Sequence, residues 1–383
     1  MSQRLARIHP FHVMALLARA RALEAAGRDV VHLEIGEPDL PTPEPVVAAG
    51  IRALEQGATH YTPALGLPAL REAIADHYRR RYGVAVAPSR VAVTPGASGA
   101  LLLALGCLVE SGSRVLVPDP GYPCNRHFVA FLGGVADPLP VGPESRYQPT
   151  PEAVAAAWRP ETRALVVGSP ANPTGTVLDR EALAALAATV EARGGRLIAD
   201  EIYHGLVYGG EAATALAASP GCFVVNSFSK HFHMPGWRLG WLVVPEGYEG
   251  AVDRLAQNLF LAAPTPAQHA ALACFTPEVE AILADYRETY RRRRDALIPR
   301  LARLGLHLPV APEGAFYLYA DCSAVTDDSF AFAEHCLEEA AVALTPGIDF
   351  GDHQAERHLR IAFTAELPRL EEGVERIRRL LGG

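Results

Sequence analysis

The sequence predicts an α/β fold: a large domain with a mostly parallel sheet covered by helices on both faces, plus a smaller discontinuous α+β domain. Three observations lead there. From about residue 46 onward, short apolar β-branched runs alternate with helical periodicity, which is the pattern of strand–helix–strand crossovers. After about residue 285 long helices instead flank a cluster of alternating strands. The first 45 residues are too short to build a core of their own, so they are expected to pack with the C-terminal unit. The predicted organisation is an N-terminal segment 1–45, a large domain 46–284 and a small domain 285–383.

The elements follow in order. The N-terminus, with apolar residues interleaved with Arg, reads as an amphipathic helix and lacks the apolar core of a signal peptide. Strands are predicted at 91–93, 114–118, 164–168, 196–200, 222–227 and 239–244. Helical periodicity covers LPALREAIADHYRRRY, SGALLLALGCLV and DREALAALAATVEARG between them. In the small domain LGLHLPV, AFYLYAD and HLRIAFT read as strands, and DSFAFAEHCLEEA and ELPRLEEGVERIRRLL as helices. The run Arg291–Arg294 lies in a helical pattern and is expected to form a solvated face in preference to a binding patch.

Composition narrows the function classes. With 49% hydrophobic and 20% charged residues the chain is an ordinary globular protein, and no apolar run suggests a membrane span. A formal charge of −8 offers no field for nucleic acid. Six scattered cysteines without metal spacing suggest reduced thiols, and a cytoplasmic location is expected. His231 and His233 lack the carboxylate or Cys partners of a metal site, so no metal is expected.

One compositional fact carries chemistry. The basic residues are 34 arginines and a single lysine, Lys230. An amine that can lose its proton near neutral pH and attack a carbonyl is something Arg cannot supply. Lys230 follows a predicted strand, with Ser227 three residues before it and Arg238 eight after. Hydroxyl and guanidinium suit a phosphate. VTPGASGALLLAL adds a glycine turn opening a helix, whose first amides also bind phosphate. Asp200 ends a strand and could be a cap or the counter-ion of a cationic ring nitrogen, with Tyr203 close by as a hydroxyl donor. The loops DPGYPCN and SPANPTG are ordinary turns in composition, yet they offer Tyr122 as an aromatic platform and Asn172 as an amide donor.

Along essentially its whole length the sequence resembles class I/II aminotransferases of the fold-type I pyridoxal-phosphate superfamily. LEIGEPDLPTP, HYTPALGLPALREAIA, TPGASGALLLAL, PDPGYP, SPANPTGTV, ADEIYHGLVY, SFSKHFHMPGWRLGW, PEGAFYLY, TPGIDFG and HLRIAFT carry the resemblance, in family order. It implies that Lys230 binds pyridoxal 5'-phosphate as a Schiff base and that Asp200 pairs with the pyridinium. By the same resemblance Tyr203 donates to the phenolate oxygen and Tyr122 stacks on the ring. Asn172 bridges cofactor and substrate, while Ala97, Ser98, Ser227 and Arg238 form the phosphate cup. Tyr61 matches a tyrosine that reaches the neighbouring subunit's phosphate, which implies a homodimer with shared active sites. Arg360 matches the clamp for the substrate α-carboxylate, with Gly36 the close-approach glycine beside it. His231 departs from the small residue usual after the lysine.

The implied activity is transfer of an amino group from an L-amino acid to a 2-oxo acid by ping-pong kinetics. Two alternatives stay open: a carbon–sulfur β-lyase on the same fold, and a non-catalytic cofactor-binding sensor, for which little chain precedes the first helix. Tyr317 is expected to face the side-chain pocket. A dicarboxylate substrate would need a second cation, and it would have to be an arginine.

Overall fold

The computed structural model describes residues 3–382. Its strands are β1 (Val31–His32), β2 (Val91–Thr94), β3 (Arg114–Asp119), β4 (Val135–Pro140), β5 (Thr162–Gly168), β6 (Arg196–Asp200), β7 (Phe223–Ser227), β8 (Gly240–Val243), β9 (Tyr317–Asp321), β10 (Val342–Ala343), β11 (Thr345–Pro346) and β12 (His358–Ala362). Seven of them form the main sheet, in the order β2-β8-β7-β6-β5-β3-β4. Every pairing is parallel except those of β8, which runs antiparallel to both β2 and β7. β2, β7 and β8 are buried at every residue, which is why they read as continuous apolar runs. Separate cores lie on the two faces of the sheet, one around Phe228 and Trp241 and the other around Leu101, Val115 and Ile198.

The six strands expected here are all present, the first as β2 and the last as β8. β4 was not anticipated. Its sequence VADPLP carries two prolines, and it sits at the sheet edge, where a missing N–H costs no ladder bond. The crossover helix Arg180–Glu191 is N-capped by Asp179, which accepts from the Ala182 N–H at 2.8 Å.

A second, antiparallel sheet has the order β11-β12-β9, and β1 pairs in parallel with β10. LGLHLPV does not form the strand its alternation suggested; only His307 bridges to Asp321. The helix Pro277–Ala302 runs continuously through residues 284–285 and joins the two units. The N-terminal helix His12–Ala25 buries Leu16, Ala20 and Leu23 against Leu337, Ala341 and Ala343 of the C-terminal unit. No helix among the described residues is long and apolar enough to cross a membrane.

Candidate active site

One edge of the main sheet gathers the chemistry. β2, β3, β5, β6 and β7 end there, leading to Gly96, Tyr122, Asn172, Asp200 and Lys230, while antiparallel β8 starts there just after Arg238. Carboxyl ends of parallel strands are where open α/β sheets hold ligands. A cavity of about 410 Å³ lies on this edge, and its walls include Ala97, Ser98, Tyr122, Asp200, Ser227 and Lys230.

At one end of the cavity the helix Gly96–Gly106 begins, and Ala97 and Ser98 of its first turn, where helix amides lack intrahelical partners, line the cavity. Gly96 has φ +67°, and a Cβ there would come within 2.6 Å of the Arg238 guanidinium. Glycine therefore lets the arginine lie across the helix start. Gly240 permits a second close approach, because its Cβ would sit 2.7 Å from the Gly96 carbonyl carbon. The hydroxyls of Ser98, Ser227 and Ser229 border the same end, with Ser227 Oγ accepting from the Ser229 N–H at 3.0 Å. This arrangement of amides, hydroxyls and a guanidinium suits an anion.

Asp200 stands elsewhere on the same wall, only 6% exposed. Its carboxylate accepts one backbone bond, from Ile202 N–H at 3.2 Å. Burial pushes its pKa up to about 7, with that N–H and the Lys230 charge pulling it down by less. A buried carboxylate with so little compensation suits a cationic ligand. Lys230 Nζ donates to the Gly36 carbonyl at 2.6 Å. Burial, then the neighbouring Arg360 cation, brings its amine down to about 8.

Arg360 projects from β12 and is 6% exposed. Its Nη1 donates to Asn172 Oδ1 at 3.1 Å and its Nη2 to the Glu34 carbonyl at 2.6 Å. The guanidinium carbon lies 4.3 Å from the Tyr317 ring centre and 4.8 Å from that of Phe350. Its Nε is buried with no partner. Held by two acceptors and two aromatic rings and still carrying a free donor, the guanidinium suits a carboxylate.

The structure thus brings Lys230, Asp200, Tyr122, Asn172, Ala97, Ser98, Ser227, Arg238 and Gly36 around two adjoining cavities, and Arg360, which lines neither, is tied to them through its bond to Asn172. Tyr203 joins them through a small adjoining cavity behind Tyr122. Tyr61 does not join; it is 83% exposed and lines neither cavity of its own chain. Tyr317 corrects an expectation. Its side chain is 1% exposed and lines neither cavity, and its hydroxyl bonds the Tyr203 hydroxyl at 2.8 Å. It occupies the space that a Cβ at Gly36 would need, so Gly36 is required for close approach to this tyrosine. His231 is turned toward Gly205, whose missing Cβ leaves room for the imidazole, and packs on Phe232. Among the described residues no His, Cys, Asp and Glu cluster could hold a metal.

Ser229, Glu34, Thr345 and Phe350 escaped the sequence reading. Ser229 had a signal, being the second hydroxyl of SFSK. The other three reach Arg360 only through pairing among β1, β10, β11 and β12 and the loops beside them, which leaves no local pattern.

An anion cup, a solitary lysine, a buried carboxylate and an aromatic face on one sheet edge fit a phosphorylated pyridine aldehyde. Together with the fold they define a fold-type I pyridoxal-phosphate enzyme. Residues 28–377 match the family model for aminotransferase class I and II, and the chain belongs to that family. It is 43% identical to a valine–pyruvate aminotransferase of Mycobacterium tuberculosis, over 97% of this chain and 96% of that protein. It is 39% identical to an aspartate/prephenate aminotransferase of Thermus thermophilus, over 100% and 99%. A crystal structure of an aminotransferase from Mycobacterium tuberculosis superposes with a TM-score of 0.96 at 43% identity, covering 100% of this chain and 99% of that one. The protein is a pyridoxal-phosphate-dependent aminotransferase acting on amino and 2-oxo acids, and these relatives give no support to the lyase alternative.

Proposed function

We propose that this aminotransferase takes its amino group from an L-amino acid with an apolar, uncharged side chain and passes it to a small monocarboxylic 2-oxo acid such as pyruvate. The charge inventory of the cavity carries this reading. Among the described residues lining the main cavity and its small neighbour, the cations are Lys230 and Arg238. The first is the reacting amine and the second belongs to the anion cup, while Arg360 is engaged by the α-carboxylate. No further arginine lines either of these two cavities for a side-chain carboxylate, and the exposed Glu37 at the cavity wall would repel one. Ile35, Ile202 and Tyr122 offer apolar surface instead. The relative named for valine and pyruvate points the same way.

In this reading each residue has a separable task. The bound cofactor supplies an electron-withdrawing ring into which charge from the substrate Cα can spread. Asp200 holds a proton on the ring nitrogen, and Tyr203, itself bonded to Tyr317, donates toward the phenolic oxygen. Ala97, Ser98, Ser227, Ser229 and Arg238 hold the phosphate, and Tyr122 covers one ring face. Arg360 and Asn172 fix the α-carboxylate, so that the Cα–H bond is presented to Lys230. In the cofactor-free protein burial and the Arg360 cation lower the Lys230 amine to about 8, so Lys230 would serve as the base that takes the Cα proton.

Initial rates with a panel of amino acids against pyruvate test the substrate class. Valine, leucine and similar donors should exceed aspartate and glutamate in kcat/KM by at least about a hundredfold. A preference for aspartate would refute the assignment and require a cation handed in from outside this chain.

We also propose that two copies share their sites, because Tyr61 is exposed and lines neither cavity of its own chain. Sedimentation should find the active enzyme as a dimer; an active monomer would remove Tyr61 from the site. A cytoplasmic location is proposed on the six unpaired thiols.

A further inference from the structure

Glu34 is a charged residue with no task in the mechanism, and it is fully buried. Its backbone carbonyl accepts from Arg360 Nη2 at 2.6 Å and from Thr345 Oγ1 at 3.1 Å. Its side chain accepts from His32 Nδ1 at 2.7 Å through Oε1, while Oε2 has no partner. The other ring nitrogen of His32 faces Glu24 Oε1 at 3.1 Å, on the N-terminal helix. A ring with carboxylates at both nitrogens donates from both and is therefore the imidazolium. Consistent with that, hydrogen bonding to Glu34 first of all raises the His32 pKa to about 9.

The segment bearing this pair has little freedom. Leu33 N–H donates to the Ala343 carbonyl at 3.0 Å, and Ala362 N–H donates to the Leu33 carbonyl at 2.7 Å. The chain bends at Glu34 just past β1, and the His32–Glu34 side-chain bond spans that bend, so it helps set where the Glu34 carbonyl stands against Arg360. The opposite end of the same helix also reaches the arginine's surroundings. The N–H groups of His12 and Val13 donate to the Asp349 carboxylate at 2.7 and 2.8 Å, and the next residue, Phe350, lies under the guanidinium.

We propose that His32 and Glu34 are positioning residues for Arg360, braced by the N-terminal helix through Glu24, so that affinity for the substrate α-carboxylate depends on groups that never touch substrate. The inference rests on Arg360 being the α-carboxylate clamp. A merely structural ion pair would lower thermal stability and leave carboxylate affinity alone. A positioning pair moves KM and leaves kcat, because Lys230 and the cofactor are untouched.

The test is competitive inhibition of the cofactor-loaded enzyme by 4-methylpentanoate, a carboxylate with no amino group, together with KM and kcat for the preferred amino acid. His32→Gln removes the cation that balances Glu34. It should raise both the inhibition constant and KM by about tenfold, with kcat within about twofold and the cofactor absorbance unchanged. Arg360→Lys, in the same assay, should raise the inhibition constant by about a hundredfold or more. No change in Arg360→Lys overturns the clamp itself. A rise in Arg360→Lys with none in His32→Gln overturns the positioning role and leaves the clamp standing. If His32→Gln does not fold, Glu24→Gln on the exposed outer arm should give a two- to threefold rise, about the size expected of a partly solvated pair; an unchanged constant there likewise overturns the proposal.

Discussion

Lys230→Ala should lower turnover by at least about ten-thousandfold with every amino donor, and Lys230→Arg should do no better. The size of the loss follows from one amine serving as both the carbonyl nucleophile and the proton carrier at Cα. A guanidinium keeps its charge at any working pH and can do neither. Nothing else nearby substitutes, because the chain has no second lysine and His231 is turned away toward Gly205. Small primary amines added to Lys230→Ala should recover part of the proton transfer, and recovery should rise with their free-base concentration. Normal turnover in the variant without added amine would rule the assignment out. The solitary lysine also allows a direct check on its ionisation. In the cofactor-free protein, acylation of the ε-amine, followed by peptide mass, should show a midpoint near pH 8 instead of the ordinary 10.5. The direction follows from burial, which penalises the ammonium, and from the Arg360 cation, which repels it.

How much of this was legible beforehand differs by residue, and the difference is physical. Lys230, Asp200, Tyr122 and Asn172 lie at or just after strand ends, and the strands are apolar runs readable from local periodicity. A loop residue that follows such a run is placed on the carboxyl edge of the sheet by topology alone. β4 was missed because its prolines violate strand propensity, a rule that edge position relaxes. LGLHLPV misled in the opposite way, since its alternation satisfies the local rule but finds a single bridging partner. Tyr317 was placed on the right strand with the wrong task. Period-two alternation fixes a side of the sheet, but not whether that side meets a cavity or the hydroxyl of Tyr203. Glu34 and Thr345 lay beyond reach, because their relation to Arg360 is a register between segments more than 300 and about 15 residues apart.

Asp200→Asn should reduce kcat by about a thousandfold while leaving the fold intact, the range expected when a charge aimed at the reacting system is removed. The amide is isosteric and can still accept from the Ile202 N–H, so the local backbone has no reason to move. What disappears is the negative charge that would keep a proton on the ring nitrogen. Stability should change the other way. In the cofactor-free protein burial raises Asp200 from 3.8 to about 7. An acid with a raised folded pKa binds its proton more tightly folded than unfolded, so stability contributed by this group falls as pH rises from about 4 to about 7 and stays low above that. Cofactor-free Asp200→Asn should therefore melt above cofactor-free wild type at pH 8, with the gap closing toward pH 4. Bound pyridoxal phosphate should reverse the order, because only the carboxylate gains from a cationic ring. Thermal melts of the two proteins at both pH values, with and without cofactor, decide it. A variant that melts with wild type in all four conditions would mean that Asp200 is solvated and does not serve as the buried counter-ion, and a near-normal kcat would remove it from the mechanism.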